Sequence, residues 1–162
     1  SALQKEIRRG HTENAALLAY EMVITSSALE DYLWQRLLVI SVEDVGFGNP
    51  QAVVQINAIY QMLQAFDRSV GERRLFAVHA VRLLSESQKD RSSDEMINWI
   101  IGGASSGELR PTIPDYALDM HTGDGQKMGR GKRHFWEEAA KIVPELPNRE
   151  TKYRELMLRT LA

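Results

Sequence analysis

The stretch YLWQRLLVISVEDVGFGNPQA, Tyr32–Ala52, decides the fold because it contains the end of one helix and the start of the next. A capping-box pattern precedes it, in which Ser27 is followed three residues later by Glu30. The apolar residues then recur at spacings of three and four, as in an amphipathic helix: Leu29, Leu33, Leu37 and Ile40. We expect this helix to end near Gly46, and Asn49-Pro50 to supply the N-cap and first position of the next helix.

Helical punctuation recurs over residues 1–106. Another capping-box pattern, Ser92 with Glu95, begins a helix that Gly102-Gly103 should stop. No segment of any length alternates apolar and polar residues, as strands of a half-buried sheet do. The sequence therefore predicts an all-α fold, an antiparallel bundle of about five to seven helices over residues 1–106.

The composition changes at Gly102, where GGASSG breaks regular structure and Pro111 and Pro114 then extend the chain. We expect residues 107–162 to form an irregular segment, rich in glycine and proline, that packs on the same domain. Two short helices are predicted to close it, over residues 133–143 and 149–161.

The charge balance limits the partners of the 162-residue chain. Its net charge is −2 and its pI is about 6.1, which argues against a dedicated basic nucleic-acid module. The charge is uneven: residues 1–109 hold 10 Lys and Arg against 14 Asp and Glu, whereas residues 110–162 hold 10 against 8. Any contact with nucleic acid must therefore be local, and the more basic tail is the place to expect it.

The chain has no cysteine, which excludes disulfides, thiolate zinc sites and cysteine nucleophiles, and fits a reducing cytoplasm. It has no apolar run of about 18 residues and no signal-peptide pattern, so we expect no membrane partner. The sequence opens directly in a helical pattern at Ser1 without a methionine, and we expect it to be a piece of a longer protein.

Glu43 and Asp44 lie in the last turn of the helix that is predicted to end near Gly46, where the helix dipole disfavours negative charge. They could be a paired acid at a catalytic or metal site. Alternatively, one carboxylate accepts hydrogen bonds from the amides of the helix that starts at Asn49, which would fix the corner. No further acid or histidine cluster lies nearby in sequence, so we assign Glu43, Asp44, Gly46, Asn49 and Pro50 to a structural corner and predict no metal site.

The loop GDGQKMGRGK, residues 123–132, resembles a phosphate-binding loop but lacks its spacing and its hydroxyl residue. Its cations precede two aromatic residues, Phe135 and Trp136, a combination that suits a phosphate backbone and a stacked base. The alternative is a solvated loop whose aromatic residues anchor the following helix. The residues predicted to contact DNA or phosphate are Lys127, Arg130, Lys132 and Arg133.

The histidines do not suggest a metal site. His79 lies in an apolar spacing, which indicates a histidine at the edge of the core. His121 and His134 are 13 residues apart without an HExxH pattern, so zinc is not expected. No Gly-x-Ser-x-Gly motif occurs either, and no catalytic residue is assigned.

Two segments resemble a known family. Residues 1–10, SALQKEIRRG, resemble the segment that follows the ATPase module in the replication-associated recombination proteins, bacterial relatives of the Werner-helicase-interacting ATPase. Residues 32–52 resemble that family's Ser-Glu-Asp-Ile-Gly stretch followed by Asp-Pro-Gln-Ala. The resemblance covers residues 1 to about 66 well, 71–87 in pattern only, and the tail only in the order of its residues. The positions in register are Arg36, Glu43, Asp44, Gly46, Pro50 and Gln51.

The resemblance implies a parent AAA+ ATPase that acts at stalled replication forks in DNA replication, recombination and repair. Its ATP and magnesium sites would lie outside this chain, which itself would bind no cofactor and would not be an enzyme. The family's C-terminal helical region resembles a tetramer-forming domain, so residues 1–106 would be an oligomerisation-type domain, and the assembled protein binds DNA. The implied partners are further copies of the chain, DNA and replication proteins, in the cytoplasm at the nucleoid.

Three functions remain open from the sequence. A self-associating domain needs exposed apolar residues, and five candidates could equally belong to the core: Trp34, Tyr60, Met62, Met96 and Trp99. A stand-alone enzyme for a small or phosphate-bearing ligand would use Asp119, His121 and the loop from Lys127 to His134. A protein-interaction platform without a nucleic-acid role is the third possibility.

Overall fold

The computed structural model describes residues 1–161 and divides the chain into two compact units, Ser1–Leu109 and Arg110–Ala162. No strand occurs among the described residues, so the prediction of an all-α fold is confirmed. The α-helical segments are α1 (Ala2–Arg8), α2 (Thr12–Thr25), α3 (Ser27–Ile40), α4 (Ala52–Leu63), α5 (Glu72–Glu86), α6 (Ser92–Ser106), α7 (Gly123–Lys127), α8 (Lys132–His134) and α9 (Lys152–Thr160). None of the helices in the described part of the chain is long and apolar enough to cross a membrane.

The first unit, which we call the helical unit, contains every buried apolar side chain among residues 1–161. Helix α2 packs against α1, α3 and α5, and α4 packs against α3 and α5. Full burial of one large aliphatic side chain stabilises a fold by about 1.5–3 kcal/mol, so this core dominates the stability of the unit. Its largest members are Ile7, Leu33, Trp34, Leu37, Ile40, Ile56, Leu63 and Leu84.

Helix α3 begins one residue earlier than the capping-box pattern predicts. The side chain of Ser26, not Ser27, accepts the hydrogen bond from Leu29 N at 3.2 Å. Glu30 does not reach back to the cap. It is buried, and Arg73 Nε donates to its carboxylate at 2.7 Å, which joins α3 to α5. The predicted cap is therefore wrong by one residue, because the glutamate satisfies a buried arginine instead.

A π-helical turn, Ser41–Val45, extends α3 and ends at Gly46, as the sequence predicts. Gly46 has a φ of +49°, and a Cβ there would overlap the carbonyl oxygen of Asp90. The amide of Asp90 in turn donates to the carbonyl oxygens of Asp44 and Val45 at 3.1 and 3.0 Å. The chain before α6 therefore lies directly against this corner, and only glycine allows so close an approach.

Helix α6 does not stop at Gly102-Gly103 as predicted. It continues to Ser106 and ends where Gly107 adopts the left-handed conformation. Gly103 has a packing role, because the side chain of Leu109 occupies the space that a Cβ there would need. A glycine inside a helix costs only about 1 kcal/mol, which close packing can offset.

The second unit, which we call the tail unit, has no buried apolar side chain among residues 110–161. Its helices are shorter than predicted: the first helical stretch comprises α8 and a π-helical turn, Phe135–Ala139, and the second is α9. Thr122 caps α7 by accepting from the amide of Gly125 at 3.0 Å. A Cβ at Gly125 would overlap the backbone of Asp119, so a glycine is required there.

Candidate functional site

A cluster of charged and amide side chains surrounds Asp44 on the π-helical turn. Asp44 is 0% exposed and accepts hydrogen bonds from three side chains. Gln4 Nε2 lies 2.8 Å from Oδ2, Arg91 Nη1 lies 2.5 Å from Oδ1, and Arg8 Nε donates to the same Oδ1. We call this group the Asp44 cluster; its members are Gln4, Arg8, Arg36, Glu43, Asp44, Arg91 and Asp94.

Glu43 holds the outer side of the cluster. Its carboxylate lies 3.3 Å from Arg8 Nη2, 3.3 Å from Arg91 Nη1 and 3.8 Å from Arg36 Nη2. Arg36 also donates to Gln4 Oε1 at 2.5 Å. The cluster therefore ties α1, the end of α3 and the start of α6 to one point.

The charges in the Asp44 cluster balance, because three guanidinium groups face three carboxylates. Burial alone would raise the pKa of Asp44, but hydrogen bonds from Arg8, Gln4 and Arg91 outweigh it and hold the pKa below its usual value. Asp94 binds Arg91 Nη2 at 2.5 Å and completes the balance. Each carboxylate of the cluster is paired, so removing one partner would leave a poorly compensated charge, and no unpaired acid remains in the cluster to act as a base.

The structure places Glu43, Asp44 and Gly46 at a corner, but its donors differ from those expected. Asp44 accepts from side chains of α1 and Arg91, so the expected hydrogen bonds from the amides after Asn49 are wrong. Asn49 is not the N-cap of α4 either, since its Nδ2 donates to Ser87 Oγ at 3.0 Å. Pro50 lies in the turn before α4. Among the described residues, no group of three or more acids and histidines is arranged to hold a metal ion.

Helix α6 leaves the corner with its apolar side chains uncovered. None of its 15 residues is buried. At about 100° per residue, its large apolar side chains span roughly 200° of the helix circumference. We call these side chains the α6 surface; they are Met96, Ile97, Trp99, Ile100 and Ile101, each 40% to 60% exposed.

An open apolar groove of about 480 Å³ lies between α6 and the end of α3. A smaller groove of about 180 Å³ adjoins it, shares Val42 and Ser93 as lining residues, and reaches the exposed ring of Phe47. The apolar lining of the larger groove comprises Leu38, Val39, Val42 and Ile97. The α6 surface therefore continues into a concave apolar region next to the Asp44 cluster.

The structure decides which of the five candidate interface residues are exposed and which belong to the core. Trp34 is buried and Tyr60 packs against it with ring centroids 5.8 Å apart, so both belong to the core side. Met62, Met96 and Trp99 are exposed. Only Met96 and Trp99 of these three lie on α6.

The cations of the predicted DNA-contacting loop are mostly paired with acids of the tail unit. Arg130 forms a two-pronged ion pair with Asp115, both oxygens at 2.7 Å, and also donates to two backbone carbonyls. Lys127 lies 3.2 Å from an oxygen of Asp124. Arg133 lies 2.6 Å from a carboxylate oxygen of Glu137. Lys132, the fourth predicted cation, makes no ion pair within the described part of the chain.

Asp119 and His121, which the enzyme alternative uses, form a local pair. Asp119 Oδ1 accepts from the amide of His121 at 2.9 Å, and Oδ2 lies 3.2 Å from His121 Nδ1. The hydrogen bond from the His121 amide lowers the pKa of Asp119. His121 packs edge-on against Phe135, with ring centroids 5.0 Å apart. These contacts explain the pair as a turn that anchors a histidine ring.

The exposed His79 corrects another prediction. The sequence indicates a histidine at the core edge, but the side chain lies on the outer face of α5. The neighbouring buried positions are occupied by small residues, Ala77 and Ala80. The buried face of α5 therefore passes through Ala77 and Ala80, and His79 lies outside it.

Comparison with known proteins decides the family. The family model described as MgsA AAA+ ATPase C terminal matches residues 10–146, most of the chain. The chain belongs to this family. The match thus covers the helical unit from residue 10 onward and the tail unit up to residue 146.

Two relatives of the chain share one name with each other. Replication-associated recombination protein A of Bacillus subtilis is 37% identical over 134 residues, which cover 81% of this chain and 30% of that protein. The protein of the same name from Haemophilus influenzae is 29% identical over 121 residues, 75% of this chain and 25% of that protein. The chain therefore spans less than a third of the length of either relative.

Proposed function

We propose that this MgsA C-terminal chain is the self-association domain of an AAA+ ATPase that acts in recombination associated with DNA replication, at stalled forks. The observation that carries the proposal is the α6 surface. A helix with a broad apolar face and no buried residue is a normal component of an interface and an unusual one on a monomer.

The amount of apolar surface supports self-association. The α6 surface exposes about 500 Å², which already reaches the largest apolar patches of ordinary monomers. The groove side chains Val39 and Val42 and the exposed ring of Phe47 extend this apolar area toward the ~800 Å² that one partner buries in a standard interface. This area suits a second copy of the chain, and two copies of a dimer can assemble further into the tetramer that the family resemblance implies.

The Asp44 cluster supports the same function by fixing the base of α6. Arg91 is the residue before α6, and it binds Glu43, Asp44 and Asp94. A helix that is held rigidly at its start presents its apolar side chains in one orientation. Preorganisation of this kind lowers the entropy cost of association.

We extend the proposal to the longer protein. Its ATPase module would bind ATP and magnesium, this chain would bind no cofactor, and the assembled protein would contact DNA in the cytoplasm at the nucleoid. Lys127, Arg130, Lys132 and Arg133 remain the proposed auxiliary contact, with Lys132 contributing most because the other three already have partners. Repetition of Lys132 in each copy would add weak phosphate contacts.

The test is the mass of the chain in solution, measured by light scattering over a range of concentrations. We expect a concentration-dependent oligomer that reaches four copies. Ile101→Asp places a charge on the α6 surface and should weaken association at least 10-fold. Leu75→Asp is the matched control, because Leu75 is an exposed aliphatic residue on α5, 68% exposed against 57% for Ile101. A monomer at the highest concentration, or equal effects of both variants, would contradict the proposal.

A further inference from the structure

A second helix of the chain, α9 in the tail unit, is only partly covered: Met157 and Leu158 are half-buried, and Arg154 donates to the carbonyl oxygen of Trp136 at 3.1 Å. None of the nine residues of α9 is buried. Tyr153 is 70% exposed, and Leu156, one turn further along, is half exposed. Residues 110–161 offer no buried apolar side chain against which such a helix could fold. Because short isolated helices are marginal in water, α9 needs a covering surface.

The charges of α9 lie beside its apolar residues. Lys152 and Arg159, seven residues apart, are on the same side of the helix as Leu156. Neither forms an ion pair with a carboxylate in the described part of the chain; the Lys152 ammonium lies 5.8 Å from the centroid of the Tyr153 ring. The exposed side of α9 is thus apolar, with an edge on which Lys152 and Arg159 outnumber the single acid Glu155, which accepts a hydrogen bond from Thr151.

Helix α6 has the complementary pattern. Residues 92–106 include two acids, Asp94 and Glu95, and no base. Asp94 is bound to Arg91, but Glu95 is exposed and has no ion-pair partner in the described part of the chain. Glu95 precedes Trp99 by one turn, so the acidic edge adjoins the apolar residues Met96 and Trp99.

We propose that α9 of one copy docks on α6 of a second copy, with Tyr153 and Leu156 against Met96 and Trp99, and with Lys152 or Arg159 beside Glu95. The inference rests on the proposed self-association and names the part of the second copy that covers the α6 surface. It also explains how a tail unit without a core of its own is held in place. The other side of α6, which bears Ile97 and Ile101 and lines the groove at the π-helical turn, is left uncovered by this contact.

Cysteine cross-linking tests this contact cleanly because the chain has no native cysteine. Tagged Met96→Cys chains are mixed with untagged Leu156→Cys chains and treated with a short thiol-reactive linker. Each chain has one cysteine, so any product joining both kinds is a contact between copies. The control pairs Leu75→Cys with Leu156→Cys, since Leu75 is exposed and belongs to α5 rather than α6. We expect the mixed product at several times the control level.

The outcomes separate the two proposals. An oligomer whose mixed product does not exceed the control would overturn the docking of α9 and leave self-association standing, whereas a monomer would overturn both. A Met96→Cys/Leu156→Cys chain is also diluted into a large excess of unmodified chains. A cross-link within that one chain would place α9 on its own copy and overturn the inference.

Charge reversal provides a second measurement on the full chain. Glu95→Lys should weaken association roughly 2- to 5-fold, as expected for one exposed ion pair. Adding Lys152→Glu and Arg159→Glu should restore it, because the two edges then attract again. Further weakening by the triple change would overturn the proposed pairing.

Discussion

The Asp44 cluster and the tail loop contain the same kinds of groups, arginines against carboxylates at 2.5–3.3 Å, yet they do different work. Asp44 is buried, and its partners Arg8 and Arg91 lie 36 and 47 residues away. The tail pairs are mostly exposed and join residues 3 to 15 positions apart. Charge pairs hold a fold together when they are buried and join distant parts of the chain; the local pairs shape only their own turn.

Removing the buried charge at Asp44 should have the largest effect. Asp44→Asn removes the buried carboxylate that Arg8 and Arg91 share, while Glu43 still pairs with both. We therefore expect a loss near the lower end of the about 3–5 kcal/mol that breaking a buried ion pair costs. Urea unfolding of the full chain measures this loss. The matched control is Asp67→Asn, an exposed aspartate in a turn of the same unit, which should have little effect. Equal destabilisation by both variants would refute a special role for Asp44.

Acidification should remove the same stabilisation. The pKa of Asp44 is lower in the folded chain than the value of about 3.9 in an unfolded one, so its contribution is fully present above pH 4 to 5. It is lost as the pH falls through the folded pKa. The difference in unfolding free energy between the parent chain and Asp44→Asn should therefore shrink below pH 4. A difference that stays constant down to pH 2 would show that Asp44 is not the titrating group.

The corner itself should tolerate change less well than the turn glycines of the tail. Gly46→Ala forces a side chain into a backbone conformation that favours glycine and against the carbonyl of Asp90, at a cost of about 1–3 kcal/mol. Gly131→Ala is the control, because a Cβ there meets no atom within contact distance and its φ is negative. Thermal unfolding compares the two variants. A stable Gly46→Ala chain would mean that residues 88–91 can move away from the corner.

Breaking the best pair of the tail should have only a local effect. Arg130→Gln removes the ion pair with Asp115 and most of the hydrogen bonds to the backbone, worth about 1 kcal/mol to the turn. Hydrogen exchange should become faster over residues 115–130, while the amides of α3 and α5 keep their protection. Loss of protection in α3 would show that the tail pair supports the helical unit after all.

The Arg133 and Glu137 pair should have the smallest effect. Both side chains are about half exposed and lie one helical turn apart, so Glu137→Gln should change stability by less than about 0.5 kcal/mol. If the loop contacts DNA, releasing Arg133 should strengthen salt-sensitive binding slightly. Fluorescence anisotropy with a short single strand, at two salt concentrations, measures that change. Weaker binding of this variant would contradict the proposed role of the cation.

The sequence predicts the corner but not the cluster that stabilises it. Gly46 is visible as a helix end because glycine after an apolar periodic run is a local signal. The donors to Asp44 are not visible, since Gln4, Arg8 and Arg91 are separated from it by about 40 residues and nothing local marks them as partners. Local chemistry therefore gives the turn, and tertiary packing selects its ion pairs.

The exposure of the α6 surface could not be predicted from the sequence, for another reason. Met96 and Trp99 sit in an apolar pattern that a core helix and an interface helix share, so their exposure has to come from the structure. The sequence also mispredicts the length of α6, because Gly102-Gly103 indicates a stop whereas the left-handed position is Gly107. For the tail, the composition indicates a basic loop, whereas in the structure Asp115 and Glu137 pair with two of its arginines, Arg130 and Arg133.

The reach of the Asp44 cluster also has a kinetic meaning. Its members come from the first, middle and last helices of the helical unit, so it can close only when residues 4 to 91 have been brought together. Because contacts of this kind carry the largest loop-closure entropy, we expect them to form late in folding. We therefore expect Asp44 to affect the rate of unfolding much more than the rate of folding, and the cluster to set how long a folded copy survives before it opens.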